Sequence, residues 1–476
     1  MSAASTSSIS RERQRAARAA PLGALLTLVL CLPGIAPAQS TPTDSAVRAI
    51  LTRRMEGKAN AGIVVAIMDH GKAHFLSFGT SNGPGTATLD ENTVFEIGSV
   101  TKAFTGTVLA EMVARGEVAL DDPVSKYLPI SVHVPERNGR QITLLDLATQ
   151  SSGLPSIPDN MHPASLANPY ADYTVEQLYA FLSGYTLFRD PGAQYQYSNL
   201  GTGLLGHALA LRASQSYEDL VTKRVLKPLG MRETAITLTP ALQTRLATGH
   251  TGTMQTQPPW DLPTLAGAGA LRSTAKDMLK FVVANAHPDG TALSKAAPLA
   301  QQGRRPTGSP GLDIGLAWHI LDRPGGRIVW HNGQTGGYHS FIGFIPTTGA
   351  NVVVLTNVAA SVDDIGLHIL DPAIPLQGER PVITRKEVAL DPATLDRFVG
   401  EYAMAPTFSI TVTKENGALW GQPTAQPKVQ LFAEAATEFF LKVVDAQISF
   451  VVDSAGVVTG MVLHQNGQNL PGRKVR

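Results

Sequence analysis

Cysteine is almost missing from this chain: a single residue, Cys31, in 476. That excludes a disulfide framework and any cysteine-ligated zinc site. Charge is also scarce and evenly split, with 39 Lys and Arg against 38 Asp and Glu, 16% of the chain in all and a net +1. There is no basic excess to neutralise phosphates, so a nucleic-acid partner is excluded. A 43% hydrophobic chain with so little net charge is not a disordered one either. His-Glu-x-x-His and the P-loop are both absent, which removes the usual anchors of zinc-protease and nucleotide chemistry. Beyond the N-terminal leader, no run reaches the roughly 20 apolar residues that a membrane span needs. What is there is length and apolar content enough for two or three packed domains.

The first 38 residues read as an export leader rather than as fold. Arg11, Arg13, Arg15 and Arg18 make a positive region, Leu22 to Leu32 an apolar run, and Ala36-Pro37-Ala38 a small-x-small cleavage site. Cleavage after Ala38 would leave a mature chain with no thiol, indifferent to an oxidising compartment. An uncleaved anchor, or lipidation at Cys31, is the alternative; Leu28-Val29-Leu30 lacks the small residue usual ahead of a lipidated cysteine.

Downstream, residues 45–55 predict a helix, Gly62 to Met68 a buried strand, and Ala73 to Phe78 its hairpin partner. Apolar residues at helical spacing predict a helix over 102–115, closed by Gly116. From about 120 to 300, short helices (175–183, 200–213, 274–285) alternate with Pro-rich loops. Strands resume at 328–331, 338–344 and 351–356. Strands at both ends with helices between them predict an α/β (α+β) domain over 39–372, its sheet joining N- and C-terminal segments. Asp371-Pro372, Pro375, Arg380-Pro381 and Asp391-Pro392 mark a linker over 373–390. Over 391–476, alternating runs such as Phe408 to Val412, Phe439 to Val444, Ile448 to Val452 and Val457 to Leu463, with turns at Asn416-Gly417 and Asn466-Gly467, predict a small antiparallel β-barrel or sandwich.

Three stretches could carry chemistry. In Phe95-Glu96-Ile97-Gly98-Ser99-Val100-Thr101-Lys102, Ser99 and Lys102 lie nearly one turn apart at a helix start, facing the same way. A serine hydroxyl needs a base, and a lysine serves when burial or a nearby cation lowers its pKa. Lys102 is the only charge between Glu96 and Glu111, which points it into a buried site. A second Ser-x-x-Lys, Ser273 to Lys276, has the bland explanation: Thr274 with Asp277 reads as an N-cap, and Lys276 as solvated. In the second stretch, Tyr197 and Asn199 lie two apart ahead of a helix and would face one side of extended chain. A tyrosine beside a lysine ammonium can hold a lowered pKa and shuttle protons; alternatively, Tyr197 packs and Asn199 caps the helix. The third stretch, Trp330-His331-Asn332-Gly333-Gln334-Thr335-Gly336-Gly337, reads either as a strand edge where substrate could pair or as a bulge with a surface histidine.

In this order, the three stretches resemble the penicillin-recognising serine hydrolases: class C β-lactamases, D-Ala-D-Ala peptidases and β-lactamase-like carboxylesterases. The resemblance spans about residues 45–370 and takes in 144–155 and 266–278. It implies Ser99 as the acylated nucleophile, Lys102 assisting its deprotonation, and Tyr197 as the base in acylation that then protonates the leaving group, sharing that work with Lys102. Asn199 would hold the substrate's acyl-side amide, and the backbone N–H groups of Ser99 and Gln334 would form an oxyanion hole. No metal or organic cofactor is implied. The substrate would be a β-lactam, a D-amino-acid peptide or an ester, and the location periplasmic, without a stable membrane span once the leader is cut. One departure stands out. His331-Asn332-Gly333 replaces the common Lys-Thr-Gly or Lys-Ser-Gly, and a neutral histidine offers less charge to a substrate carboxylate. The C-terminal stretch, through Phe398-Val399-Gly400-Glu401-Tyr402, resembles a lipocalin-like barrel appended to related peptidases. Rival readings are a penicillin-binding sensor or wall-binding protein that acylates with little turnover, and a scaffold with a decayed site. The oligomeric state stays open.

Overall fold

The computed structural model describes residues 41–475 apart from 59–60, 70, 82–88, 378–384, 406–407, 425–427, 443–445 and 466–467. The leader with Cys31, and the Asn466-Gly467 turn, lie outside the described residues.

The hairpin expected near the N-terminus forms from β1 (Gly62–Asp69) and β2 (Lys72–Gly79). After β3 (Val94–Glu96) and α2 (Thr101–Ala114) come α3 (Asn199–Arg212), β4 (Arg272–Thr274) and α4 (Ala275–Ala286). The chain then returns through β5 (Arg305–Pro306), β6 (Leu312–Ile314), β7 (His319–Leu321), β8 (Ile328–Gln334), β9 (His339–Ile345) and β10 (Ala350–Thr356). One eight-stranded sheet results, ordered β2-β1-β10-β9-β8-β7-β6-β5. Its middle joins the two ends of the domain: β1 runs antiparallel to β10, with Ile63 opposite Thr356.

Both sheet faces are covered, which is why β9 and β10 are buried along their whole length instead of alternating. One face packs Val64, Val329, Ile342 and Val353 against α2 and α4, where Phe104 and Phe281 stack with ring centroids 3.8 Å apart. The other packs Ile63, Val65, Phe341 and Val354 under α1 (Asp44–Met55) and α5 (Asp363–Leu370).

At the C-terminus, β11 (Gly400–Ala405), β12 (Phe408–Glu415), β13 (Ala418–Pro423), β14 (Val429–Ala433), β15 (Glu438–Phe440), β16 (Ala446–Val452), β17 (Val458–Gln465) and β18 (Gln468–Lys474) close into an antiparallel barrel. Asn416 and Gly417 take φ of 51° and 78°, the left-handed pair that a tight hairpin between β12 and β13 requires. The interior is filled with side chains: Phe398, Tyr402, Phe439, Phe450 and Met461 form its core, and the Tyr402 hydroxyl donates to Phe398 O. Part of the stretch expected as linker lies along this barrel, with Val388 N donating to Ala433 O and Arg385 paired with Glu434.

Candidate active site

Ser99 sits in a 3-10 turn, Gly98–Val100, that runs straight into α2. The turn depends on Gly98, which has φ +47° and whose missing Cβ would fall 2.8 Å from the backbone N and O of Gln334. Gly333 makes a matching concession from β8: a Cβ there would meet Ile97 O at 2.1 Å and Ser99 N at 2.8 Å. Two glycines thus let the end of β8 lie against the backbone that carries Ser99.

One turn into α2, Lys102 is fully buried. Its Nζ lies 2.9 Å from Ser99 Oγ, 2.7 Å from Asn199 Oδ1 and 2.7 Å from Ala268 O. The Tyr197 ring lies beside it, 4.8 Å from Nζ to centroid. Groups from residues 99, 102, 197, 199 and 268 therefore meet around one nitrogen.

The loop ahead of α3 is held rigidly. Ser198, not Asn199, caps that helix, its Oγ accepting from Gly201 N at 2.8 Å and donating to Pro155 O. Gln150 grips the loop from behind, its O accepting from Gln196 N and its Oε1 from Ser198 N at 2.7 Å. Asn199, the first helical residue, is thereby free to turn toward Lys102 while the Tyr197 ring lies over the same amine.

Burial dominates the electrostatics. With several neutral dipoles and no carboxylate beside it, the Lys102 amine is pushed well below the ordinary lysine range by desolvation. Tyr197 moves the other way. Desolvation raises its phenol, with the nearby Ser99 only partly opposing, so the lowered tyrosine pKa expected from the sequence is corrected. The lowering needed a charged ammonium, and the same dry surroundings neutralise that ammonium.

His331, on β8, is buried, 1% exposed. Desolvation first, then His319 and Lys102, hold it well below the usual histidine range. Its Nδ1 lies 2.6 Å from Asn332 O, and a carbonyl only accepts, so Nδ1 carries the proton and Nε2 is the acceptor end. The His319 ring is 5.1 Å away by centroid and is itself pushed to about 4 by burial. Gln334 ends β8 with its side chain exposed and its backbone against Gly98.

The second Ser-x-x-Lys is structural. Ser273 is buried in β4 against Thr234 Oγ1 at 2.8 Å, Thr274 caps α4 through Asp277 N, and Lys276 is exposed. Two further signature-like spacings in the sequence carry no chemistry. Gly201-Thr202-Gly203-Leu204-Leu205-Gly206 has the Gly-x-Gly-x-x-Gly spacing but lies inside α3, where Cβ atoms at Gly203 and Gly206 would strike Leu265 and Gly267. Ser81, in Gly79-Thr80-Ser81-Asn82-Gly83, follows strand β2 and is buried, its carbonyl accepting from Thr248 N.

A family model described as Beta-lactamase matches residues 47–371. The chain belongs to the Beta-lactamase family. Among its relatives, the D-alanyl-D-alanine-carboxypeptidase/endopeptidase AmpH of Escherichia coli K12 is 30% identical over 344 residues, covering 69% of this chain and 88% of AmpH. A protein named Beta-lactamase from the same organism is 31% identical over 374 residues, covering 71% of this chain and 93% of its own length. The class C β-lactamase of Rhodobacter sphaeroides shares the fold, with a TM-score of 0.59 at 24% identity over 70% of this chain and 99% of the other. Residues 384–474 match a separate family described as a domain of unknown function, DUF3471. This Beta-lactamase-family member thus pairs a serine-hydrolase fold with a C-terminal barrel. Among the described residues, no helix is long and apolar enough to cross a membrane.

Proposed function

We propose that this protein is an exported serine hydrolase that works through a Ser99 acyl-enzyme. One observation carries the reading: Lys102 Nζ touches two groups that can only accept, Ala268 O and Asn199 Oδ1, and one that can donate, Ser99 Oγ. A neutral amine has two N–H bonds and one lone pair. The two carbonyls consume the N–H bonds, and the lone pair is left for the Ser99 proton. Desolvation supplies the neutral amine.

Catalysis follows from that count. Lys102 takes the Ser99 proton as Oγ attacks the substrate carbonyl. The backbone N–H groups of Ser99 and Gln334 hold the developing oxyanion, each donor worth about 3–4 kcal/mol. The phenol of Tyr197, kept protonated by burial, donates to the leaving group and is reprotonated from Lys102. Water then opens the acyl-enzyme by the reverse relay. Asn199 belongs to the binding side of the site as well as to Lys102.

His331 refines the substrate class. Neutral and presenting an acceptor nitrogen, it gives a substrate carboxylate no cation. Among β-lactams, D-amino-acid peptides and esters, the site therefore favours bonds without a carboxylate next to the leaving group, with esters first. The leader at 1–38 is the export segment and the mature enzyme is periplasmic; 39–372 is the hydrolase, 373–390 the connection and 391–476 the barrel domain.

The test pairs a short-chain nitrophenyl ester with a chromogenic cephalosporin. Ser99→Ala should abolish turnover of both, and Ser273→Ala should spare both. Activity that survives Ser99→Ala in a folded protein, or a Ser99 adduct that persists by mass for hours with either substrate, overturns the reading.

A further inference from the structure

We propose that Tyr170 is a positioning residue for acylation: its hydroxyl pins the Asn199 amide so that Oδ1 stays on Lys102 and the lysine's lone pair stays on Ser99. This rests on the acyl-enzyme reading of Ser99 given above. Tyr170 belongs to none of the three sequence stretches. It comes from the 156–173 segment and is only 7% exposed. Asn199 Nδ2 donates to its Oη at 3.1 Å, while Asn199 Oδ1 accepts from Lys102 at 2.7 Å. The amide is thus held at both ends, one by the catalytic amine and one by the phenol.

The phenol is itself well fixed. The Tyr170 ring lies 5.6 Å from that of Trp260, at 57°. Trp260 is tied at three points: its Nε1 donates to Ala167 O, its backbone N to Glu96 Oε1 at 2.7 Å, and its O accepts from Arg272 Nη2 at 2.7 Å. Glu96 ends β3, three residues before Ser99. The clamp on Asn199 and the nucleophile are therefore referenced to the same strand.

An amide turns about its last bond, and the angle decides what Lys102 can do. If Oδ1 moves away, an N–H of the amine loses its acceptor, and that N–H competes for Ser99 Oγ. The serine then receives a hydrogen bond where it must give one. Without the Tyr170 hydroxyl, Nδ2 faces a carbon ring edge, and an unpaired buried donor is costly enough to turn the amide.

Tyr170→Phe removes the hydroxyl and keeps the ring. On the nitrophenyl ester, kcat should fall about tenfold with KM nearly unchanged, the scale of one lost hydrogen bond. The acid limb of kcat/KM should move to lower pH, because Lys102 loses an acceptor that favours its charged form. The groups facing that amine are Ser99, Tyr197, Asn199, His331 and the Ala268 carbonyl, and the substitution replaces none of them. In an Asn199→Ala background, Tyr170→Phe should cost nothing further. An unchanged kcat and acid limb, or a cost that adds fully to that of Asn199→Ala, overturns the proposal. Ser99→Ala is assayed alongside. If it stays active, the acyl-enzyme reading fails and takes this proposal with it; if it is dead while Tyr170→Phe matches wild type, only the Tyr170 role fails. Should Tyr170→Phe not fold, the same cycle is run with Tyr170→Trp, which also offers Nδ2 no acceptor oxygen.

Discussion

The proposed mechanism asks Lys102 to be buried and to stay a base, and those demands agree only while it is neutral. The pH dependence follows with its sign. Below the ordinary lysine range the unfolded chain binds a proton that the folded site refuses, so stability rises with pH through the interval down to the depressed folded value. Lys102→Met should flatten that slope in urea titrations between pH 7 and 10 and abolish ester turnover. His319 adds a second slope. Its folded value of about 4 lies below that of an ordinary histidine, so stability falls as pH drops below about 6.5 and levels off once pH passes the folded value. His319→Leu should recover about 2 kcal/mol at pH 5 relative to pH 7, read from the same titrations. His331→Lys should raise cephalosporin turnover relative to ester turnover, and an unchanged ratio in paired assays would refute the role given to its neutrality. Why Ser99 and Lys102 could be read from the sequence and Tyr170 could not is a matter of spacing. A pair three apart on a helix announces its own proximity. The Tyr170–Asn199 bond joins residues 29 apart across a loop whose path no local pattern encodes. Tyr197 does lie beside Lys102, but its phenol is raised rather than lowered, because burial acts on both partners and spacing reveals only one.

At the scale of elements, the glycine row of α3 decides where Lys102 finds its carbonyl partners. Gly206 lies against Gly267, 2.9 Å from its Cα to a would-be Cβ, and the next residue, Ala268, supplies the oxygen to Lys102. Pushing these segments apart should damage packing and chemistry together. Gly206→Val is expected to cost about 1–3 kcal/mol and to lower ester kcat, with circular dichroism melts and rates measured on the same samples. A substitution that destabilises without slowing turnover would separate the two. The helices, the hairpin and the strands flanking the site were legible because their periodicities are strong. The short strands β3 to β6 were not, since two or three residues carry no period and are recruited by their neighbours.

Across the whole molecule, the sheet and the barrel have separate apolar cores. Phe450 is buried among Phe398, Tyr402 and Phe439. Phe450→Ala should cost about 3–5 kcal/mol, and scanning calorimetry should show one transition lowered while the transition of the hydrolase sheet keeps its temperature. A single transition that moves as a unit would mean the two cores melt cooperatively. The barrel's strands were legible from alternation, which by itself fits a sandwich as well as a closed barrel. Its packed interior was not, because alternation tells inward from outward residues without telling whether the inward ones leave space for a guest.

The pairing of β1 with β10 has a consequence for how the chain is made. The strand laid down first waits almost three hundred residues for its neighbour, Ile63 for Thr356. No local contact can stand in for that neighbour, so the sheet cannot close until β10 has left the ribosome. A nascent chain that stays open until its far end arrives is one that a translocation pore can thread.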